Sequence, residues 1–190
     1  IMVFAGRVDL NSVTPPTQKV WAGEGVTPVV LVHTDWTWSD TDKYLGIKGG
    51  KARSSHAHMD AGSFVYDAYG VRWSMDIGRQ AYAPLEIALK ALGGNLWTYT
   101  QASLRWEVSR LNNFFHSTLT VNDSKHRVEG FATLEQTINT ATEQGGTFDL
   151  SSVLEDQVAS AMRTVKIVND KDLKVIDAIR TRTDRSAKIR

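Results

Sequence analysis

The sequence contains no cysteine among its 190 residues. This absence excludes a disulfide framework and any metal site built from thiolates, but it does not choose between a reducing and an oxidising compartment. Long apolar runs are also missing, because the longest one, Pro28 to Val32, falls far short of the roughly 18 residues that span a bilayer. The sequence therefore predicts neither a transmembrane helix nor a membrane partner.

An excess of charge of one sign is absent as well, since 22 basic residues stand against 21 acidic ones. Nucleic-acid-binding domains normally carry a basic surface, so the sequence predicts no nucleic-acid partner. With 42% hydrophobic and 23% charged residues, the chain has the composition of an ordinary globular protein and not of a disordered one. A compact chain of this length buries roughly 70% of its unfolded surface, which is enough for a core without cross-links.

Short strand patterns separated by turn residues dominate the sequence. Strands are predicted over residues 27–34, 44–48, 62–69, 71–77, 115–121, 128–138, 161–168 and 173–179. The third and fourth form a hairpin that turns at Tyr69–Gly70, and the last two form another that turns at Asn169–Asp172. About eight short strands at this spacing predict an all-β fold, either an antiparallel sandwich or a barrel.

Helix signals are few. Pro84 suits the first position of a short helix over residues 85–92, which Gly93 and Gly94 would end. One or two helical turns are predicted between Leu104 and Asn113. We therefore expect one or two short helices beside the strands.

The two ends of the sequence predict an excised piece of a longer protein. Ile1 begins the chain without a methionine or a secretory leader, and residues 187–190 follow a strand-like segment without a closing turn. Residues 11–17 have the proline-rich, polar composition of a linker. We expect residues 1–22 to be an entry segment from a preceding domain and residues 23–190 to be the β-domain, truncated at its C-terminal end.

Two of the five histidines lie in one tetrad, Ser55–His58. If this segment is extended, His56 and His58 share a face with roughly 6 to 7 Å between their Cα atoms. Pairing across the following hairpin would bring residues 76–80 opposite residues 58–62, so Asp76 would approach His58. Two imidazoles and a carboxylate form a donor set suited to zinc.

A third histidine would have to come from a distant part of the sequence. His116 is the leading candidate, because it lies on an alternating strand pattern beside two asparagines. His33 and His126 are weaker candidates, since one lies in an apolar run and the other beside a turn.

Plainer interpretations of these residues stay open. His56 and His58 can be a surface or hydrogen-bonded pair, Asp60 a turn residue and Asp76 a carboxylate at a strand edge. Three tryptophans at strand or helix positions are predicted to be core residues: Trp73, Trp97 and Trp106. Two others, Trp36 and Trp38, are better candidates for an exposed contact.

Three blocks of the sequence resemble the heparinase II/III family, and its heparinase II branch more than its heparinase III branch. The blocks are SHAHMDAGSFVY at 55–66, GVRWSMDIG at 70–78 and RLNNFFHSTLTVND at 110–123. Members of this family are secreted or periplasmic bacterial polysaccharide lyases, with an N-terminal α/α toroid, a central antiparallel β-sandwich of the supersandwich type and a further β-domain. The resemblance implies that this chain is the central sandwich.

The resemblance also implies roles for particular residues. It assigns His58, Asp76 and His116 to a structural zinc site and makes His56 the catalytic or substrate-neutralising histidine. Arg79 and Tyr82 are candidates to line the substrate cleft. The implied reaction is β-elimination on an anionic uronate polysaccharide of the heparin and heparan sulfate class.

The expected partners follow from the same resemblance. They are the polysaccharide, the absent toroid, which would supply a further tyrosine and histidine, and a second copy in a possible homodimer. We expect residues 1–190 alone to be inactive.

Two other functions are open at this stage. One is a zinc-dependent hydrolase in which His56, His58 and His116 all bind a catalytic metal. The other is a non-catalytic carbohydrate-binding or assembly module that contacts sugar through Trp36 and Trp38.

Overall fold

The structure, a computed structural model, describes residue 9, residues 12–37 and residues 39–190. Its strands form two antiparallel sheets, which confirms the predicted all-β sandwich. The first sheet has five strands in chain order: β1 (Val20–Gly23), β2 (Val29–His33), β3 (Tyr44–Lys48), β4 (Phe64–Ala68) and β5 (Val71–Ser74). The second has four, again in chain order: β6 (Thr133–Asn139), β7 (Glu143–Asp149), β8 (Ser160–Val168) and β9 (Asp172–Arg180).

The main core lies between the two sheets. Side chains that point from the strands of both sheets into the space between them are buried. Along β8, every second residue is buried. Fully burying a side chain such as Ile167 contributes about 1.5 to 3 kcal/mol to folding. The sheets approach closely where β2 faces β7, because a Cβ atom on Gly146 would stand 2.8 Å from Cγ2 of Val30.

A second, smaller core lies beside the sandwich. Its buried members are Ala52, Met59, Leu85, Leu89, Leu96, Trp106, Leu111 and Val128. It packs the helix α1 (Tyr82–Ala91) against the segment that follows the histidine tetrad. No helix in the described part of the chain has the length and apolar character needed to cross a membrane.

Helix α1 begins three residues before the predicted start at residue 85. Pro84 is therefore in the first turn, although not at the first position, and it is tolerated there because the first four N–H groups of a helix have no partner within it. The helix ends at Ala91, and Gly93, two residues further on, has a φ of +76° that is costly for other residues. Two short 3-10 turns, Leu104–Glu107 and Asn113–Phe115, follow in the region where further helical turns were predicted.

Two strands, β1 and β7, lie outside the predicted strand segments. Strand β1 starts at Val20 and pairs with β2, so the first sheet begins inside the predicted entry segment 1–22. Strand β7 contains Gly145 and Gly146, and its sequence does not predict a strand because glycine is depleted in strands. The strand predicted over 128–138 starts only at Thr133.

The strand predicted over residues 115–121 joins neither sheet. Phe115 ends a 3-10 turn, and the extended residues after it pair with the last residues of the chain. The backbone N–H of Thr120 donates to the Arg190 carbonyl at 2.8 Å, and the backbone N–H of Arg190 donates to the Thr120 carbonyl at 2.9 Å. Leu119 and Val121 are buried, as the alternating pattern predicts, but Phe115 is exposed and Thr120 is buried, so the segment does not have the one-sided burial of a sheet strand.

Candidate functional site

The histidine tetrad forms a turn and a loop, not a strand. His56 has a left-handed φ of +62°, so the side chains of His56 and His58 do not follow the alternation expected of an extended segment. The loop is fixed on its C-terminal side, where the Met59 N–H donates to the Leu111 carbonyl at 2.8 Å and Met59 is buried. As a result, the two imidazoles have different surroundings.

His56 is exposed and lies in a group of aromatic side chains. Its Nδ1 is 2.9 Å from the Tyr82 hydroxyl, and its backbone N–H donates to the Tyr99 hydroxyl at 3.2 Å. Its ring stacks on Tyr82 and meets the edge of Trp97, with 5.4 Å between centroids in both cases. The structure thus brings together the predicted catalytic histidine and one of the two residues predicted to line the cleft.

Arg79 is exposed between β5 and α1. Its backbone carbonyl lies 3.5 Å from Nη1 of Arg110, which donates to it. Within the described residues, no hydrogen bond or ring contact joins Arg79 to His56.

The predicted metal ligands lie on the other side of the loop. The rings of His58 and His116 are 5.4 Å apart, and Nδ1 of His116 is 2.5 Å from a carboxylate oxygen of Asp76. Nε2 of His116 is 3.1 Å from the Arg110 carbonyl. The sheet register does not place Asp76 here, because β5 ends at Ser74, opposite Tyr66, and Asp76 lies beyond it.

The structure adds a carboxylate to this group. Single ligand atoms of His58, Asp60 and His116 all lie within 4.8 Å of one another, which is compatible with one bound cation. Asp60 also accepts two hydrogen bonds from the Lys48 ammonium, at 2.8 and 2.9 Å. Two nitrogens and one or two carboxylates fit the chemistry of a zinc site. The position of Asp60 two residues after His58 was the available signal, but it is equally typical of a turn residue.

Two pKa shifts favour metal binding by these side chains. Burial lowers the pKa of His58, which keeps the imidazole neutral and able to donate its lone pair. The hydrogen bond with His116 lowers the pKa of Asp76 to about 2, so the carboxylate is ionised at neutral pH. The proton that joins these two groups therefore lies on Nδ1 of His116.

A buried arginine supports both halves of the site, and no spacing in the sequence indicated it. The Arg105 side chain is fully buried, and its Nη2 donates at 2.8 Å to the carbonyl of Ala57, between the two histidines. Its Nη1 donates at 2.8 Å to the Leu96 carbonyl, and its guanidinium lies 4.6 Å from the centroid of Tyr99. Arg105 therefore ties the loop to the segment that carries the aromatic group.

The weaker histidine candidates lie elsewhere. Nδ1 of His33 is 2.8 Å from an Asp42 carboxylate oxygen, near the far end of β2. His126 is buried, and its Nε2 is 2.9 Å from the Leu119 carbonyl. Neither joins the group formed by His58 and His116 within the described residues.

The tryptophan predictions hold only in part. Trp106 is a core residue as predicted, but Trp73 is 65% exposed and Trp97 is 40% exposed, so the core prediction was wrong for both. Trp36 is half-buried, because its ring packs on His33 and its Nε1 donates to the Gln18 carbonyl at 2.9 Å. Trp38 lies outside the described residues.

Known lyases share this fold. The chain aligns with the heparan sulfate lyase HepC from Pedobacter heparinus with a TM-score of 0.64 at 17% identity, and with a mutant of HepC with 0.65 at 18%. A heparinase III, the BT4657 gene product with methylated lysines, aligns with 0.61 at 14%. Each alignment covers 87% of this chain but only 22% or 23% of the lyase. The chain thus spans less than a quarter of the length of these proteins.

The family of the chain is identified by a match to a family model and not by the structural alignments. No curated protein matches the chain significantly. The family model described as Heparinase II/III-like, C-terminal matches residues 29–190, which include both sheets except β1 and all residues of the site. The chain therefore belongs to the heparinase II/III-like C-terminal domain family.

Proposed function

We propose that the chain is the β-sandwich part of a polysaccharide lyase that cleaves uronate-containing glycosaminoglycans of the heparin and heparan sulfate class by β-elimination. The observation that carries this proposal is the exposed imidazole of His56 held against the Tyr82 hydroxyl. Family membership supports the lyase class. His56 is exposed, whereas His58 is half-buried beside His116, which supports different roles for the two histidines of the loop.

β-Elimination at a uronate needs three events. A base removes the C5 proton, the electron pair forms the C4–C5 double bond, and the C4–O4 bond breaks as O4 takes up a proton. The carboxylate at C6 must be neutralised for C5 to become acidic. His56 can serve here in either of two ways, according to its tautomer.

The role of His56 depends on which partner is the donor in its hydrogen bond with Tyr82. If Tyr82 donates to Nδ1, then Nε2 carries the proton and can donate to the substrate carboxylate. If Nδ1 donates to Tyr82, then Nε2 is unprotonated and can act as the base. In both cases, Tyr82 orients the ring, and the hydrogen bond from the His56 backbone to Tyr99 fixes its position.

We further propose a structural zinc held by His58, Asp76 and His116, with Asp60 in reach as an additional oxygen ligand. When bound, the ion would cross-link the loop to the segments that carry Asp76 and His116. This would fix the loop that presents His56. The hydrolase alternative is less well supported, because the His56 ring faces Tyr82 and Trp97, not His58.

The test is a lyase assay on the full-length protein that contains this chain, with heparan sulfate as substrate and the ultraviolet absorbance of the unsaturated uronate as the readout. We expect His56→Ala to lower the rate by about 100-fold or more, because a positioned acid or base contributes at least that much. The zinc content of His56→Ala should equal that of the unsubstituted protein. Full activity of His56→Ala would overturn the proposal.

A further inference from the structure

A cavity of about 500 Å³ opens directly beside His56. It is lined by Arg53, Ser54, Ser55, Trp97, Tyr99, Thr100 and Glu129. Ser55 precedes His56 in the chain, and Tyr99 accepts the hydrogen bond of the His56 backbone. The cavity is therefore continuous with the group around His56, although neither the proposed elimination nor the proposed zinc uses it.

Trp97 gives this cavity an aromatic wall whose orientation is fixed. Its backbone N–H donates to Oδ1 of Asn95 at 2.8 Å, and its indole N–H donates to the Glu86 carboxylate on α1. Its ring meets the edge of Tyr82 at 5.1 Å between centroids, while 40% of the residue stays exposed. An exposed, pre-oriented indole beside hydroxyl groups is a surface on which the apolar face of a sugar ring can pack.

The lining of the cavity also carries one positive and one negative charge. Arg53 and Glu129 form an ion pair in which both side chains are more than half exposed. An exposed pair of this kind contributes little to stability, so an anionic ligand can replace Glu129 as the partner of Arg53. The Arg53 backbone is held in place by the hydrogen bond of its N–H to the Val128 carbonyl at 3.2 Å.

We propose that this cavity is a saccharide subsite that binds a sugar ring with an anionic substituent, next to the residue on which His56 acts. The ring packs on Trp97, and the anionic group binds Arg53. Glu129 holds Arg53 in place in the free protein and competes with the ligand for it. The ligand class rests on the proposed function, whereas the wall and the charge pair are features of the cavity itself.

The test measures binding to the full chain by calorimetry. The probe is an unsulfated tetrasaccharide of alternating glucuronate and N-acetylglucosamine. We expect Trp97→Ala to raise Kd about fivefold or more, and Trp97→Phe to stay near the original value because it keeps an aromatic face. Trp73→Ala is the matched control, since Trp73 is exposed on β5 and outside the cavity, and its Kd should not change.

Two further variants test the charges. Arg53→Ala should weaken binding of the tetrasaccharide but not of the same probe with its carboxylates reduced to alcohols. Glu129→Gln should tighten binding of the anionic probe, because it removes the competitor for Arg53. Thermal melts of each variant, followed by circular dichroism, establish that the fold is retained.

The outcomes separate this inference from the proposed function. Absence of probe binding by the unsubstituted chain, or equal affinities for the Trp97→Ala and Trp73→Ala variants, would overturn the subsite. An unchanged or weaker affinity of Glu129→Gln would overturn the role of the charge pair. The lyase assay on His56→Ala is independent of these results, so the reaction can stand while the subsite fails, and the reverse.

Discussion

At the scale of single residues, Arg105 is the side chain on which the site depends most. It is fully buried, and among the described residues its polar contacts are two backbone carbonyls and no carboxylate. Burying a charge without a counter-ion is expensive, and here the aromatic faces of Tyr99 and Trp106 compensate in part. A buried charge that destabilises the fold, yet binds the backbone between His56 and His58, implies that the loop needs a rigid anchor.

We expect Arg105→Met to lower the free energy of unfolding by about 2 kcal/mol, because the carbonyls of Ala57 and Leu96 lose their donors while the aliphatic stem is kept. Urea unfolding of the chain measures the change. Arg182→Met is the matched control, since Arg182 forms an exposed pair with Asp184 and should change stability by less than about 0.5 kcal/mol. Equal stability of Arg105→Met and the unsubstituted chain would contradict the role of Arg105 as an anchor.

His126 makes stability depend on pH. Burial lowers its pKa to about 4 from the ordinary value of 6.5. Between these values the unfolded chain binds a proton that the folded chain does not, so this contribution is complete above pH 6.5 and is lost as pH falls towards 4. The loss amounts to about 3 kcal/mol.

The check compares the unsubstituted chain with His126→Gln, both without metal. The glutamine amide can still donate to the Leu119 carbonyl but has no proton to gain. We expect unfolding free energies measured from pH 7 to pH 4.5 to fall more steeply for the unsubstituted chain. Parallel curves for the two proteins would show that His126 does not titrate in this way.

At the scale of elements, strand β7 depends on two glycines for its place between β6 and β8. A Cβ atom on Gly145 would lie 2.1 Å from the Val165 carbonyl oxygen, which is backbone and cannot move aside. We expect Gly145→Ala to lower the free energy of unfolding by about 2 kcal/mol, the typical cost of overpacking.

The control for this prediction is Gly23→Ala in strand β1. A Cβ atom there would make an ordinary contact of 3.4 Å with Val29, so this variant should be neutral or slightly stabilising. Thermal melts of both variants measure the difference. A melting temperature of Gly145→Ala at or above that of Gly23→Ala would contradict the packing argument.

The same elements show how far the sequence could predict this fold. Strand β8 was predictable, because its sequence has the alternation that its burial follows throughout. Strand β3 was predictable as a short run closed by Gly49 and Gly50. Strand β7 was not predictable, because its glycines are required by the close approach of neighbouring strands, which the sequence does not show. The proximity of His58, Asp76 and His116 was predictable from the His-X-His spacing and the family resemblance. The left-handed φ of His56 and the anchoring by Arg105 were not, because tertiary contacts determine both.

At the scale of the whole molecule, the proposed zinc would connect segments that are far apart in sequence: the loop at His58, the end of the hairpin at Asp76 and the segment at His116. A ligand that binds only the folded state adds stability with its concentration, about 3 kcal/mol at 100 times Kd. We expect zinc to raise the melting temperature of the metal-stripped chain, to do so equally for His56→Ala, and to have no effect on His58→Ala.

The zinc effect should also weaken as pH falls. Zinc binds imidazoles through an unprotonated nitrogen and carboxylates in their ionised form, so protons compete with the ion for these side chains as pH falls. Melting temperatures with and without zinc at pH 7.5 and pH 5.5 measure this dependence. A zinc-induced rise that persists in His58→Ala would place the ion elsewhere.

The division into two cores has a consequence for how such a domain can diversify. The residues around His56 are supported by α1 and the smaller core, whereas the sandwich is held together by a separate set of side chains. Substitutions in groups that share no contacts have nearly additive effects. Substitutions in the loop, the helix and the cavity can therefore accumulate with little effect on the stability of the sheets.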